Sequence, residues 1–211
     1  MNDPFPPEDF DAWAESYDQS TLNIKGFPFT GYDQVLSKVF ELANAHPGMS
    51  ILDLGIGTGN LALPFAELGC EIWGTDFSAA MLAQARIKLP QAQLFHADLR
   101  ASLPPELNRR FDRIISAYVF HHFELAQKIE IIQKLVREHV APDGRLLIAD
   151  IAFPNLAALE AVKHAAGDEW EDEFYWLADE TLPTLAAAGL PAAFHLISSC
   201  AGIFEITLPA S

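Results

Sequence analysis

The sequence has little that would support a disulfide-bonded, membrane-spanning or nucleic-acid-binding protein. Its 211 residues include two cysteines, Cys70 and Cys200, which lack the spacing of a metal site or a disulfide framework. No apolar run reaches the roughly 20 residues that a membrane-spanning helix needs. Basic residues number 13 against 29 acidic ones, and the formal charge of -16 repels phosphate backbones. We therefore expect no membrane segment and no nucleic-acid partner.

The amino-terminal segment MNDPFPPEDFD also lacks the basic and then apolar order of a secretory signal. This composition predicts a soluble, cytoplasmic protein. Half of the residues are hydrophobic (50%), which is ample for a core, and the length fits one domain. We expect that domain to be a monomer or a homodimer.

Short apolar runs alternate with helical patterns along most of the chain. Alternation of this kind predicts an α/β fold, in which helices connect the strands of a parallel sheet. A helix is predicted from Leu125 to Val140, and Ser78 is predicted to cap another that runs to Lys88. Two final runs, AAFHLISS and GIFEITL, are close enough to pair as a hairpin. The five strand-like runs are MSILDL, CEIWGTD, AQLFHAD, FDRIISAY and GRLLIAD.

A glycine-rich turn, ILDLGIGTGN, links the first of these runs to a helical pattern. Gly55, Gly57 and Gly59 occupy alternate positions, where glycine allows a sharp turn and a close approach of the backbone to a ligand. A dinucleotide-binding turn requires glycine at position 60, which is Asn60 here. Asp53 would also repel a pyrophosphate, whereas it suits a ligand that carries a positive charge.

Two more acids stand at the ends of strand-like runs. Asp76 ends the second run, where a carboxylate can accept hydrogen bonds from ribose hydroxyls, and Asp98 ends the third. The carboxyl ends of parallel strands meet along one edge of a sheet, which is the usual ligand site of this fold class. A nucleoside-containing ligand with a cationic part is therefore predicted at this edge.

The combination of these motifs resembles the class I S-adenosylmethionine-dependent methyltransferases, and the likeness extends from about Phe10 to the carboxyl terminus. The resemblance implies a Rossmann-like doubly wound sheet of seven strands in the order 3-2-1-4-5-7-6, with strand 7 antiparallel. It also implies methyl transfer from S-adenosyl-L-methionine to a small-molecule acceptor, with S-adenosyl-L-homocysteine as the product. Segments around Phe10, Glu173 and Ser198 resemble the bacterial YrrT-like subgroup in particular.

The resemblance also assigns roles to individual positions. It implies that the glycine loop and Asp53 hold the methionine part of the cofactor, that Asp76 binds the ribose, and that Asp98 accepts a hydrogen bond from the adenine amino group. Phe77 and Met81 would flank the adenine. The remaining cofactor-binding positions that lie within matching motifs are Ser78, Leu99 and Ala117.

Two adjacent histidines, His121 and His122, follow the fourth strand-like run and are the candidate catalytic residues. Either could remove a proton from a hydroxyl, amine or thiol acceptor, and His122 matches a histidine that is frequent in the family. Packing against the cofactor pocket is the alternative. The other histidines, His46, His96, His139, His164 and His195, show no metal-ligand spacing, so no metal is expected.

Two aromatic segments are candidate lids. Phe10, Trp13 and Tyr17 share one helical face, and Trp13 and Tyr17 would lie over the cofactor unless they only pack in the core. In residues 168–176, helical spacing would put aromatic side chains on one face and acidic ones on the other. That segment would cover the acceptor and favour a cationic or neutral one, unless its acidic face is merely solvated.

These motifs divide the domain into three parts. Residues 1–48 are expected to cap the cofactor site, and residues 49–150 to form the cofactor-binding core. Residues 151–211 are expected to form the substrate lid and the hairpin. An NAD(P)-dependent oxidoreductase is one alternative, because it would share the fold class and an acid at the position of Asp76. The glycine spacing does not support this alternative. A catalytically silent S-adenosylmethionine-binding module is the other alternative, because binding motifs do not report turnover.

Overall fold

The computed structural model describes residues 11, 13–14, 16–18 and 26–208. Within them, eight strands form a sheet in the order β3-β2-β1-β4-β5-β8-β7, with β6 paired to β5 beside this path. The strands are β1 (Ser50–Leu54), β2 (Glu71–Asp76), β3 (Gln93–His96), β4 (Phe111–Ala117), β5 (Val140–Phe153), β6 (Trp176–Leu177), β7 (Ala192–Leu196) and β8 (Ala201–Thr207). The helices are α1 (Tyr32–Ala43), α2 (Leu63–Leu68), α3 (Ala79–Lys88), α4 (Leu125–Glu138), α5 (Leu156–Ala166) and α6 (Ala178–Ala187).

The topology confirms the predicted fold class. Strands β1 to β5 pair in parallel, and β8 pairs antiparallel with both β5 and β7. The two-residue β6 is the one addition to the predicted seven strands; it pairs in parallel with Ala152 and Phe153 at the end of β5. Without β6 in the numbering, the order is the predicted 3-2-1-4-5-7-6, and the predicted carboxyl-terminal hairpin is present.

The sheet is buried on both faces, which explains why its central strands read as nearly continuous apolar runs. In β1, Leu52 and Leu54 belong to one core with Ile132 of α4. Ile51 points to the opposite core, where it joins Val39 of α1 and Phe65 of α2. Residues that alternate along a strand point to opposite faces, so one strand contributes to both cores.

Local sequence signals placed most element ends correctly. The Ser78 hydroxyl accepts a hydrogen bond from the backbone N–H of Met81 at 3.1 Å and so caps α3 as predicted. The predicted end of α4 is wrong by two residues, because α4 stops at Glu138 and Val140 begins β5. Val140 pairs with Phe111, and a register shift follows before Arg113 pairs with Arg145. Val140 therefore belongs to strand β5, although its spacing in the sequence continues the apolar stripe of the helix.

None of the helices in the described part of the chain is both long and apolar enough to cross a membrane.

Candidate active site

The glycine loop follows β1 at the carboxyl edge of the sheet, and its backbone requires glycine. Gly55 and Gly57 have φ angles of 71° and 53°, in the left-handed region that other residues rarely adopt. A Cβ atom on Gly55 would lie 2.3 Å from Cγ2 of Val119, which follows β4. A Cβ on Gly57 would meet no described atom within 4 Å, so this part of the loop faces open space. The loop is thus tight against the protein at one glycine and open at the other.

That open space belongs to a cleft at the carboxyl edge of the sheet. The glycine loop forms one wall, and aromatic side chains that precede β1 lie on another. Ala117, at the end of β4, also lines it. The full lining is Tyr17, Tyr32, Leu36, Asp53, Gly55, Ile56, Gly57, Thr58, Asn60, Leu61 and Ala117.

Asp53 is the unusual group in this cleft. Its side chain is fully buried (0% exposed), and neither carboxylate oxygen has a hydrogen-bond partner among the described residues. Burial, together with the negative charge of Asp76, raises the pKa of Asp53 well above its ordinary value. An unpaired buried carboxylate is costly, so this position is suited to a group that brings a positive charge or hydrogen-bond donors.

Asp76, at the end of β2, is also buried but is hydrogen-bonded. One oxygen accepts from the Gly57 N–H at 2.8 Å and the other from the Ser78 N–H at 2.9 Å. Burial raises the pKa of Asp76, and these backbone hydrogen bonds offset part of that rise. The carboxylate therefore connects the glycine loop to the start of α3 and fixes the edge of the cleft where the ribose contact is predicted.

The start of α3 carries three more predicted cofactor positions. Met81 is buried (3% exposed), and the Phe77 carbonyl is 2.8 Å from Nε2 of His96. The Ser78 hydroxyl donates to Asp11 at 2.5 Å, and the Ala80 N–H donates to the same carboxylate oxygen at 3.2 Å. Asp11 therefore attaches the amino-terminal segment to this helix end, where the helix dipole favours a negative charge.

The predicted adenine contact, Asp98, has an intramolecular partner. Arg100 donates from Nε to both carboxylate oxygens, at 3.0 and 2.9 Å, and its backbone N–H donates to Asp98 Oδ1 at 2.8 Å. This bidentate pair fixes the orientation of the carboxylate on a partly exposed surface. Leu99, the neighbouring predicted position, packs against the core.

One of the two amino-terminal aromatic residues reaches the cleft. Tyr17 lines it, and the Trp13 and Tyr17 rings are in edge contact with centroids 4.6 Å apart. Asp18 follows and accepts hydrogen bonds from the Thr58 hydroxyl at 2.6 Å and the Asn60 side-chain amide at 2.9 Å. The segment is thus attached to the glycine loop itself. Phe10, the first member of the predicted stripe, lies outside the described residues.

The two predicted catalytic histidines lie in a short 3₁₀ turn after β4 and differ in their surroundings. His121 Nδ1 is 2.6 Å from Oδ1 of the buried Asp150, at the end of the run GRLLIAD in β5. Burial alone would lower the pKa of His121, but the charges of Asp150 and Glu173 hold it above the ordinary value. His122 Nδ1 is 3.7 Å from Glu173. His121 is the histidine with a fully buried carboxylate partner. The preference for His122 as the catalytic residue stays a prediction.

The predicted helical face in residues 168–176 is wrong. Residues 167–169 form one 3₁₀ turn, and an extended segment leads from there into β6. Trp170 stacks on Phe27 with ring centroids 4.7 Å apart, whereas Phe174 is 44% exposed. The Phe174 N–H donates to the His121 carbonyl at 3.0 Å, so the segment is held by its tertiary contacts and not by helical hydrogen bonds.

The chain is similar to known methyltransferases in sequence and in fold. A family model described as a methyltransferase domain matches residues 51–144. A methyltransferase of Geobacillus thermodenitrificans is 36% identical over 201 residues, covering 88% of each chain. The chain belongs to this methyltransferase family. The methyltransferase YrrT of Halobacillus halophilus is 26% identical over 93% of this chain and 94% of the relative, as the resemblance to the YrrT-like proteins implied.

A solved structure supports the same fold. The magnesium protoporphyrin IX methyltransferase of Synechocystis, determined with bound S-adenosylhomocysteine, superimposes with a TM-score of 0.75. The two share 20% identity, and the match covers 96% of this chain and 98% of that one. The sequence relatives confirm the methyltransferase assignment made from the motifs, and this structure shows the same fold.

Sequence reasoning did not single out several residues that contact the glycine loop or the histidine turn. Asp18, Asp150 and Glu173 acquire their roles through contacts with residues far away in the chain. Tyr118 gave no signal either, although it has a φ angle of 58° between Ala117 and Val119. Only the repeated placement of acids after strand-like runs, which Asp150 shares with Asp76 and Asp98, offered a clue.

Proposed function

We propose that this protein transfers a methyl group from S-adenosylmethionine to a small-molecule acceptor. The observation that carries the cofactor assignment is the fully buried Asp53, whose carboxylate has no described partner and faces a glycine-lined cleft. The amino acid part of S-adenosylmethionine carries an ammonium group, which would supply the missing charge and donors. Family membership supports the same reaction.

The residues around the cleft fit the other parts of the cofactor. Asp76 keeps lone pairs beyond its two backbone hydrogen bonds and would accept from the ribose hydroxyls. Phe77 and Met81 would enclose the adenine, with Ser78, Asp98, Leu99 and Ala117 around them. When bound, the cofactor supplies a methyl group on a positively charged sulfur.

The protein's own contribution is binding, alignment and exclusion of water, since methyl transfer is a displacement along one line at a carbon atom. Trp13 and Tyr17 would cover the cofactor, with Asp18 holding this cover to the glycine loop. In this division, residues 1–48 cap the cofactor site, 49–150 bind the cofactor and 151–211 enclose the acceptor.

The acceptor is proposed to bind near the turn that carries His121 and His122. These histidines would promote loss of a proton from the acceptor atom. Glu173 and its acidic neighbours favour a neutral or cationic acceptor, and the overall charge of -16 disfavours nucleic acid.

Calorimetry with S-adenosylhomocysteine and NAD tests the cofactor assignment. We expect S-adenosylhomocysteine to bind in the micromolar range and NAD to bind weakly or not at all. Asp76→Ala should weaken S-adenosylhomocysteine binding by about 2–4 kcal/mol, because two charge-assisted hydrogen bonds to the ribose are lost. Tight NAD binding, or unchanged affinity in the variant, would contradict the assignment.

A labelled methyl group tests the acceptor class. We expect transfer to a low-molecular-weight fraction of a cell extract and negligible transfer to purified tRNA or DNA. Strong, salt-sensitive labelling of tRNA would show that a local basic patch outweighs the overall charge.

A further inference from the structure

His121, His122 and Glu173 bring potential metal-binding atoms close together. His121 Nε2 lies 3.8 Å from Oε2 of Glu173, and His122 Nδ1 lies 3.7 Å from Oε1 of the same carboxylate. One ligand atom from each residue lies within 4.8 Å of the other two. The side chains are 9%, 15% and 11% exposed, so the cluster is largely shielded from water but still accessible.

Asp150 orients the first of these ligands. Its Oδ1 is 2.6 Å from His121 Nδ1, and it also accepts from the Ile151 N–H at 2.9 Å and from Trp176 Nε1 at 2.9 Å through the other oxygen. The contact between Nδ1 and Asp150 turns the other ring nitrogen, Nε2, toward Glu173. A carboxylate that bonds the second nitrogen is the usual outer partner of a metal-bound histidine.

Hydrogen bonds hold the backbone around the cluster, and ionisable side chains surround it. The Phe174 N–H donates to the His121 carbonyl, and Lys128 Nζ donates to the Phe174 carbonyl, so the peptide after Glu173 is held at both of its polar groups. The carboxyl groups of Asp150 and Glu173 and the amino group of Lys128 interact with one another beside the two histidines.

We propose that His121, His122 and Glu173 bind one divalent transition-metal ion, such as Zn²⁺, with Asp150 as the outer partner of His121. Two imidazole nitrogens and a carboxylate suit such an ion and leave a fourth position open. Ligand bonds of about 2.0–2.1 Å in a tetrahedron separate the ligand atoms by about 3.3 Å. The three candidate ligand atoms lie within 4.8 Å of one another, so they would have to move closer together by up to about 1.5 Å to hold the ion. The spacing of histidines along the sequence could not reveal this site. Its carboxylate ligand, Glu173, comes from a distant segment of the chain.

The open coordination position would let the ion bind the methyl acceptor, a role that rests on the proposed function. The turn with both histidines begins three residues after Ala117, which lines the cleft. An acceptor with a thiol or hydroxyl group would bind the ion through that atom and release its proton to solvent more readily. Metal binding itself does not depend on this role and is measured separately.

The test uses the full chain, treated with a chelator and then titrated with Zn²⁺ in competition with a chromophoric chelator. We expect one Zn²⁺ per chain, and a visible absorption spectrum typical of nitrogen and oxygen ligands when Co²⁺ replaces it. Glu173→Gln and His122→Gln should each weaken Zn²⁺ binding at least tenfold. His195→Gln is the matched control, because His195 pairs with one carboxylate, Glu205 at 3.0 Å, and should leave Zn²⁺ binding unchanged.

Failure to bind one equivalent of Zn²⁺ would overturn the proposal, and so would Glu173→Gln binding Zn²⁺ as tightly as the wild type. S-adenosylhomocysteine affinity, measured on the same samples, separates this failure from that of the proposed function. A protein that binds S-adenosylhomocysteine but not Zn²⁺ lacks the metal site alone. Retained S-adenosylhomocysteine binding in Glu173→Gln and His122→Gln also shows that the variants are folded.

Discussion

Asp53→Asn should stabilise the ligand-free protein while it weakens cofactor binding. The carboxylate is fully buried, has no partner among the described residues and is repelled by Asp76. Leaving a buried polar group unpaired costs about 1–3 kcal/mol, and more when it is charged. Asparagine also lacks partners there, so only the cost of the charge is removed; at about 1.4 kcal/mol for each unit by which the pKa is raised, the free energy of unfolding at pH 7 should increase by about 1–3 kcal/mol. For a chain of this size, that is a rise in Tm of roughly 2–12 °C.

The pH dependence of this effect has a defined sign. The pKa of Asp53 is higher in the folded protein than in the unfolded chain, where it is about 3.9. Above that pH the folded state binds more protons than the unfolded state, so the free energy of unfolding decreases as the pH rises toward the folded pKa. Asp53→Asn lacks this contribution. The Tm difference between variant and wild type should therefore grow from pH 4 upward.

Thermal unfolding from pH 4 to 8 and calorimetry with S-adenosylhomocysteine measure the two effects. The cofactor affinity should fall on the order of 10–100-fold, the value of a charge-assisted hydrogen bond. Asp112→Asn is the control, since Asp112 accepts hydrogen bonds from the Ser50 N–H and hydroxyl, both at 2.8 Å, and should gain no stability. The reasoning is refuted if Asp53→Asn lowers Tm at pH 7, or if its effect is the same at pH 4 and pH 8.

Three further substitutions test the loop and the histidine turn. Gly55→Ala should lower the free energy of unfolding by at least about 1–2 kcal/mol in chemical denaturation, because φ is 71° and the new Cβ would overlap Val119. Gly57→Ala, with φ 53° and open space at the Cβ, should lower the free energy of unfolding less than Gly55→Ala and should reduce cofactor affinity. Equal destabilisation by the two substitutions would contradict the role of Val119. His122→Ala should lower kcat roughly 10²–10⁴-fold with little change in S-adenosylhomocysteine affinity, and near-normal kcat on the true acceptor would exclude His122 from proton loss.

The sequence by itself determined the sheet and its ligand-binding edge. Apolar runs and helical stripes are local patterns, and the right-handed connection between parallel strands leaves few ways to arrange them. The glycine turn after Leu54 and the acids Asp53 and Asp76 needed no tertiary information either. They lie directly at strand ends, and the carboxyl ends of parallel strands share one edge.

Only the tertiary structure decided how the histidine turn is surrounded. His121 meets Asp150 from a neighbouring strand, and Glu173 approaches from a segment for which helical spacing predicted the wrong conformation. Periodicity failed there because contacts of Phe174 with the His121 carbonyl and with Lys128 replace helical hydrogen bonds. Such contacts join residues that are dozens of positions apart, and a local pattern carries no information about which distant side chains meet.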